Sequence, residues 1–186
     1  MRNSPVPPRN RIDSLLAENR QRISALLNDA GHFTWSNLAQ PMEDMEDRLA
    51  RVWSPVSHMN SVVNSDELRD AYNACLPKLS QYATEIGQNQ KLFAAFQAVA
   101  EDPSLNVAQK KAVDNALRDF RLSGVDLPED KKQRYMEIQQ ELSALTSKFS
   151  ENVLDATQAW NNLIFNRSRV AGLPDFAVAL AKQCVA

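Results

Sequence analysis

Histidine, which supplies many catalytic bases and zinc ligands, occurs only twice in these 186 residues, as His32 and His58. A catalytic zinc ion is often held by two histidines four residues apart on one helix, as in the motif HExxH. Phenylalanine follows His32 and methionine follows His58, so neither histidine begins this motif. The sequence therefore predicts no metal site and no bound cofactor in this chain alone.

Nucleophilic catalysis has equally little support in the sequence. Ser57 and His58 are neighbours, but no GxSxG motif and no recognisable third partner accompany them. A histidine in such a position more often caps or packs against a helix than it catalyses. The 4 glycines of the chain are isolated and form no phosphate-binding loop. We therefore expect no catalytic residue and regard His58 as a candidate for packing or for an interface.

The three tryptophans, Trp35, Trp53 and Trp160, all lie on apolar stripes of the sequence. Burial in a hydrophobic core is one interpretation. A protein interface is the other, because tryptophan is enriched there. Trp53 and Trp160 therefore join His58 as candidates for packing or an interface. The core interpretation predicts that Trp160→Ala lowers the free energy of unfolding by roughly 3–5 kcal/mol.

The charges nearly balance, with 21 Lys and Arg against 23 Asp and Glu and a net charge of -2. This balance gives no reason to expect a nucleic acid or a membrane as partner. No apolar run approaches the length of a membrane span or of a signal-peptide core, so we expect a cytoplasmic protein. Cys75 and Cys184 form no CxxC motif. A reducing compartment is the simpler interpretation, and a single disulfide is the alternative.

The longest regular pattern in the sequence runs from Pro128 to Leu163. Its apolar residues recur in steps of three or four, at Tyr135, Ile138, Leu142, Leu145, Phe149, Val153, Ala156, Trp160 and Leu163. This is the period of one helix face, and Pro128 suits the first turn of a helix. We expect one long amphipathic helix whose apolar stripe packs against the residues that precede it in the chain.

The rest of the chain is typical of shorter helices joined by tight turns. Helix-start signals occur at Thr34 and at residues 64–67. Pro77 is expected to bend a helix without ending it, because the apolar period continues through it. Residues 1–9 contain three prolines and are expected to form a flexible arm, followed by one helical domain over residues 10–186. The predicted fold class is all-α, an antiparallel bundle of long amphipathic helices.

Three separated stretches of the sequence resemble one known family. They are WSPVSHMNS at 53–61 with NSDELR at 64–69, AQKKAVDNALRDF at 108–120 with SG at 123–124, and NVLDAT at 152–157 with Trp160. In this order and spacing they resemble the N-terminal helical region of the oligopeptidase A group, within the thimet-oligopeptidase-like zinc metallopeptidases. The likeness runs from about Leu15 to the end of the chain.

The resemblance implies a soluble, largely helical, two-lobed enzyme that degrades short peptides in a channel between its lobes. It also implies that the zinc site, HExxH with a later glutamate, lies in a C-terminal part that this chain lacks. The chain would then form the channel wall rather than the catalytic centre and be inactive alone. Its expected partners are the missing C-terminal catalytic lobe and, in the complete enzyme, short peptides.

A second hypothesis is a free-standing helical interaction module without peptidase activity. A HExxH motif in the same reading frame downstream would favour the enzyme. If a lobe is missing, the crowded apolar residues at 92–99 and 165–176 should include an exposed patch. The alternative is that these residues all close one compact core.

Overall fold

The computed structural model describes residues 8–29 and 31–183, and within them the chain is all-α, with no strand. Seven α-helices lie in these residues: α1 (Pro8–Asp29), α2 (Gln40–Val62), α3 (Asp66–Gly87), α4 (Gln90–Ala100), α5 (Val107–Leu122), α6 (Glu129–Ala159) and α7 (Asp175–Gln183). A short π-helix (Trp35–Ala39) precedes α2, and a 3-10 helix (Arg167–Val170) precedes α7. The predicted fold class is confirmed.

Side-chain caps begin several of the helices where the sequence carries a polar residue before an apolar run. The side chain of Ser65 accepts a hydrogen bond from the backbone N–H of Leu68 at the start of α3. Asn106 and Gln109 form a reciprocal capping box at the start of α5, with bonds of 2.9 and 3.0 Å. Each cap satisfies an N–H that has no partner inside its helix, so the helix starts are fixed locally.

Two prolines lie inside helices without ending them. Pro55 lies in α2, which continues to Val62, and Pro77 lies in α3, which continues to Gly87. The prediction that the chain stays helical through Pro77 is confirmed. Between these helices the backbone of Asn64 adopts a positive φ of 41°, a conformation that asparagine tolerates better than most residues.

The main hydrophobic core is formed by α1, the π-helix, α2, α4, α5 and the turn after α5. Its buried members include Ile23, Leu38, Ala39, Met45, Leu92, Ala95, Phe96, Val99, Val113, Phe120 and Val125. The ring of Phe120 lies 5.5 Å from that of Phe96 and 5.8 Å from that of Phe93, in tilted arrangements. Such aromatic pairs add to the stabilisation from burial alone, so α4 and α5 are held together at this point.

A second, smaller cluster holds α1 against α2 and α3. Ile12, Leu16 and Cys75 are its buried members, and Cys75 has 1% of its surface exposed. At the edge of the cluster the ring of Trp53 stacks on that of Tyr72, with centroids 4.9 Å apart and planes 14° from parallel. This stacking joins α2 to α3 beside the cluster.

Ion pairs on the surface reveal how the first helices are oriented. Asp13 pairs with Lys78 and Arg20 pairs with Glu85, both at a sequence separation of 65 residues. Because the separation stays constant along both helices, α1 and α3 run parallel to each other. Helix α2 is the chain segment between them, so α1, α2 and α3 have the up-down-up arrangement in which helices consecutive in the sequence are antiparallel.

The chain divides into two compact units, Met1–Lys148 and Phe149–Ala186, and α6 contributes to both. The first unit contains both hydrophobic clusters. The predicted N-terminal arm at 1–9 lies mostly outside the described residues, although Pro8 and Arg9 belong to α1. The single helical domain predicted for residues 10–186 stays a prediction.

Helix α6 contradicts one expectation from the sequence. Its apolar stripe was expected to pack on the preceding residues, but Ile138, Leu142 and Leu145 are 40%, 50% and 58% exposed. The physical reason is that α1–α5 already fill the core with their own side chains, and α6 meets them through a polar face. On that face the hydroxyl of Ser147 donates a hydrogen bond of 2.8 Å to Asn73 of α3.

The second unit has no buried large apolar side chain among its described residues. Phe149, Trp160, Phe165 and Phe176 are 70%, 73%, 93% and 75% exposed. Helix α6 ends at Ala159, four residues before the predicted end at Leu163. A short helix, α7, covers Asp175–Gln183 near the end of the described residues.

Candidate functional site

The first unit contains an open groove of about 710 Å³, formed between α2 and α3 on one side and α4 and α5 on the other. Its apolar lining consists of Met42, Met45, Leu49, Trp53, Leu79, Tyr82, Ile86, Phe96 and Phe120. Pockets of this size that bind small molecules or peptides are typically apolar with a few polar groups. The groove is therefore a candidate binding surface.

The charged side chains among the described lining residues are all acidic. Glu43 and Glu46 come from α2, and Asp119 comes from α5. Asp119 accepts a hydrogen bond of 2.8 Å from the neighbouring Arg118. An apolar floor with a carboxylate rim favours an extended or helical segment that carries both apolar and cationic side chains.

A polar pair lies at the edge of the groove, where Asn19 is 2% exposed and hydrogen-bonds to Tyr82. Burial raises the pKa of Tyr82, and the hydrogen bond with Asn19 lowers it by less. The guanidinium of Arg20 lies 5.4 Å from the centre of the Tyr82 ring. A phenol is protonated at neutral pH even at its ordinary pKa near 10, and the raised pKa acts in the same direction, so Tyr82 is suited to hydrogen bonding.

The three residues singled out from the sequence lie in three different environments. Trp53 is half-buried, lines the groove and stacks on Tyr72, so its role in packing is visible. His58 is exposed on α2 and is not among the groove residues; its backbone carbonyl accepts a 2.7 Å hydrogen bond from the Ser61 hydroxyl. Within the first unit, Trp53 lines the groove and His58 does not.

Trp160 requires a correction. Its side chain follows the end of α6 and is 73% exposed, so its placement in a core is wrong for the described chain. The physical reason is that the stripe it closes has no covering element among the described residues. The alternative role for Trp160, in an interface, stays a prediction.

The described residues do not fit a zinc site. No group of three or more His, Cys, Asp or Glu side chains in residues 8–29 and 31–183 is arranged to hold a metal ion. His32 lies in the loop before the π-helix, whereas His58 lies on α2, so they do not share a helix face. Zinc in proteins requires about three or four convergent ligands. We therefore derive no chemical step through a metal from these residues.

Sequence reasoning did not identify the groove. Its lining residues were recognised as apolar stripes of separate helices, but their spacing alone does not show that they leave an open space. The signal that was available was the density of large side chains, such as Phe96 and Phe120, on short neighbouring helices. In the described part of the chain, none of the helices is both long and apolar enough to cross a membrane.

Fold and groove together define an all-α domain with an apolar, acid-rimmed cleft. The profile of the family "Neurolysin/Thimet oligopeptidase, N-terminal domain" matches residues 12–132, which include all of α2–α5 and most of α1. The match covers well over half of the chain. The chain belongs to this family.

Individual relatives extend the likeness beyond the family profile. Oligopeptidase A of Haemophilus influenzae is 50% identical over 175 residues, which is 92% of this chain and 26% of the relative. Oligopeptidase A of Escherichia coli is 47% identical over 174 residues, again 92% of this chain and 26% of the relative. The probable cytosolic oligopeptidase A of Arabidopsis thaliana is 37% identical over 153 residues. The chain thus spans about a quarter of the length of the bacterial relatives it matches.

Proposed function

We propose that this chain acts as the N-terminal helical domain of a zinc-dependent endopeptidase of the oligopeptidase A type, which degrades short peptides. The observation that carries the proposal is the 50% identity to oligopeptidase A over 92% of the chain. At this identity the alignment extends through both hydrophobic clusters, and the matched family is itself named for an N-terminal domain. The likeness therefore concerns a whole folded region and not a short motif.

In this proposal the chain forms the wall of a peptide channel and leaves the catalytic chemistry to another part of the enzyme. The groove supports this role, because its apolar floor and acidic rim offer contacts to a peptide without a nucleophile or base of their own. The zinc ion, the C-terminal catalytic lobe and the peptide substrates all belong to the complete enzyme. A cytoplasmic location is supported by the cytosolic relative from Arabidopsis thaliana.

A chimeric enzyme tests the proposal. The aligned region of Haemophilus influenzae oligopeptidase A is replaced by this chain, and hydrolysis of a quenched fluorescent peptide is measured with and without a chelator. We expect chelator-sensitive hydrolysis by the chimera, because the transplanted helices share half of their residues with those they replace. The isolated chain serves as a second sample and is expected to cleave nothing.

A matched control variant separates folding from function in the same chimera. Leu92→Asp introduces an unpaired charge at a position with 0% exposure, so it should unfold the transplanted domain and abolish hydrolysis. The parent relative without its aligned region provides the baseline. A chimera that melts cooperatively but hydrolyses no peptide would overturn the proposal, and the free-standing interaction module would then be favoured.

A further inference from the structure

Helix α6 exposes apolar side chains and half-buries polar ones, whereas the other long helices of the first unit bury apolar side chains. We call the side chains of Ile138, Leu142 and Leu145 the apolar face of α6; they are 40%, 50% and 58% exposed. The half-buried positions on the same helix include polar residues, Gln139, Gln140, Ser143 and Ser147. A helix of a finished globular protein normally buries its apolar stripe and exposes its polar one.

The polar side of α6 has its own contacts with the first unit. Ser147 donates a hydrogen bond to Asn73, and Gln139, Gln140 and Ser143 are half-buried on the same side of the helix. These contacts direct the polar side of α6 towards the first unit and leave the apolar face outward. The exposure of Ile138, Leu142 and Leu145 thus follows from the orientation of α6. An exposed apolar face of this kind is expected to bind a partner that covers it.

The size of the apolar face argues against a second copy of the chain as that partner. At 40–58% exposure, three aliphatic side chains form a patch of at most a few hundred Å², which is ordinary on a monomer. A stable interface between separate proteins buries roughly 800 Å² on each partner. A segment of the same polypeptide needs much less area, because its tether gives it an effective concentration in the millimolar range.

The position of the face in the sequence favours the same conclusion. The family profile ends at residue 132, just before the face, whereas the alignment to the relatives covers 92% of the chain. So few residues fall outside that alignment that residues 138–145 must lie inside it. The relatives therefore carry this stretch in chains of which most of the length lies beyond the alignment.

We infer that the apolar face of α6 is the surface on which the remaining part of the oligopeptidase polypeptide packs, so that α6 joins the N-terminal helices to the rest of the enzyme. The inference rests on the proposed function, since it takes the remainder of such an enzyme as the partner. The surface that covers the face must itself be apolar, with side chains that fit between the 3–4 spaced positions of α6.

Thiol labelling measures whether the face is covered. Leu145→Cys is introduced into the isolated chain and into the Haemophilus influenzae chimera, with Cys184→Ser in both. The label is located by peptide mass spectrometry, which separates this site from the buried Cys75. We expect rapid alkylation in the isolated chain and a slowing on the order of 100-fold in the chimera, because a covered thiol reacts only during local opening.

Two further variants make the result specific to this face. Leu142→Cys repeats the measurement at a second position, in case Leu145→Cys perturbs the chimera. Val107→Cys is the matched control, since Val107 is an apolar residue that is 89% exposed on α5. We expect it to react at nearly the same rate in the isolated chain and in the chimera.

The outcomes separate this inference from the proposed function. Equal labelling rates at positions 142 and 145 in a chimera that cleaves peptides would sink the inference and leave the proposed function standing. Slow labelling in a chimera without peptidase activity would support the covering and count against the proposed function. Slow labelling in the isolated chain at concentrations where sedimentation shows a dimer would identify a second copy as the partner and overturn the inference.

Discussion

Helices α4 and α6 carry the same kind of apolar pattern and differ completely in its burial. In α4, Leu92 and Val99 are 0% exposed and Phe96 is 7% exposed, whereas Leu142 and Leu145 of α6 are half exposed or more. Spacing of three and four residues marks a face as apolar in both helices. The spacing of apolar residues therefore shows that a helix face needs an apolar partner. It does not show which part of the protein supplies that partner.

The partners of the two helices explain this difference. Helix α4 meets α5 through the rings of Phe93, Phe96 and Phe120, and it adds its aliphatic side chains to the main core. Helix α6 contacts α3 through a hydroxyl and an amide group, those of Ser147 and Asn73. Substitutions in the two helices should therefore have very different effects on the stability of the isolated chain.

The largest expected effect belongs to Leu92→Ala in α4. Removing a fully buried leucine side chain leaves a cavity, so the free energy of unfolding should fall by about 2–5 kcal/mol. Chemical denaturation followed by circular dichroism measures it. Leu142→Ala and Trp160→Ala, both at exposed positions, are the matched truncations and should each change the value by less than about 0.5 kcal/mol. A loss at Trp160 as large as that at Leu92 would restore the core interpretation of this tryptophan.

The turn that separates the two regions should be the next most sensitive place. Gly124, between α5 and α6, has a φ of +83°, and an added Cβ would lie 2.6 Å from Cδ1 of Leu127. Gly124→Ala should therefore destabilise the chain by roughly 1–3 kcal/mol, measured by thermal unfolding. Gly31→Ala is the control, since nothing lies within 4 Å of its added Cβ. If both variants melt alike, strain at Gly124 is not the cause.

A smaller loss is expected when the cap of α5 is removed. Asn106→Ala deletes the acceptor for the N–H of Gln109 and should lower the free energy of unfolding by about 1 kcal/mol. Asn106→Ser, which keeps a capping oxygen, should recover most of that loss. Denaturant titration of the three proteins decides the point, and equal losses in both variants would mean that the asparagine acts through something other than its cap.

The smallest predicted effect concerns pH and compares an ion pair from each region. Arg48 donates hydrogen bonds of 2.8 and 2.7 Å to Glu18, which joins α2 to α1, and these bonds lower the pKa of the Glu18 carboxyl. In α6 the pKa of Glu137 is also lowered, by hydrogen bonds from Arg134 and Gln133 within the same helix. A lowered folded-state pKa gives stabilisation that is present above the ordinary glutamate pKa and is lost as the pH falls through the folded-state value.

The measurement is the melting temperature as a function of pH. Glu18→Gln should melt slightly below the unsubstituted chain near pH 7, and the difference should shrink as the pH falls through the lowered folded-state pKa of Glu18. Glu137→Gln should leave the main transition unchanged, because its ion pair holds no helix to the core. A greater effect from Glu137 than from Glu18 would show that α6 unfolds together with α1–α5.

Local features of the fold could be predicted from the sequence, because their causes are local. The starts of helices at Ser65 and near Thr34 depend on caps within three residues, and the continuity through Pro77 depends on a period visible in ten residues. The all-α class followed from the same periods and the scarcity of glycine. The resemblance to the thimet-oligopeptidase-like family, carried by three separated stretches, is confirmed by the match at 12–132.

The features that the sequence did not predict all depend on distant parts of the chain. The groove is lined by residues of α2, α3 and α5, which lie far apart in the sequence, so no single helix encodes it in its own residues. The exposed face of α6 was wrongly expected to be covered, since apolar spacing does not reveal whether the partner lies before or after the helix. For Trp160 the same ambiguity left a core and an interface interpretation open, and the side chain is 73% exposed.

The alkylation rate of the buried Cys75 thiol measures how often the contact between α1 and α3 opens. A cysteine reacts with an alkylating reagent as the exposed thiolate, so a side chain with 1% exposure must wait until the surrounding helices separate. The modification rate of Cys75 is therefore set by the rate at which α1 and α3 separate. The main core carries no described cysteine, so the labelling rate of Cys75 reports only on the α1–α3 cluster. The measurement gives how often that cluster opens, which is a rate and not a free energy.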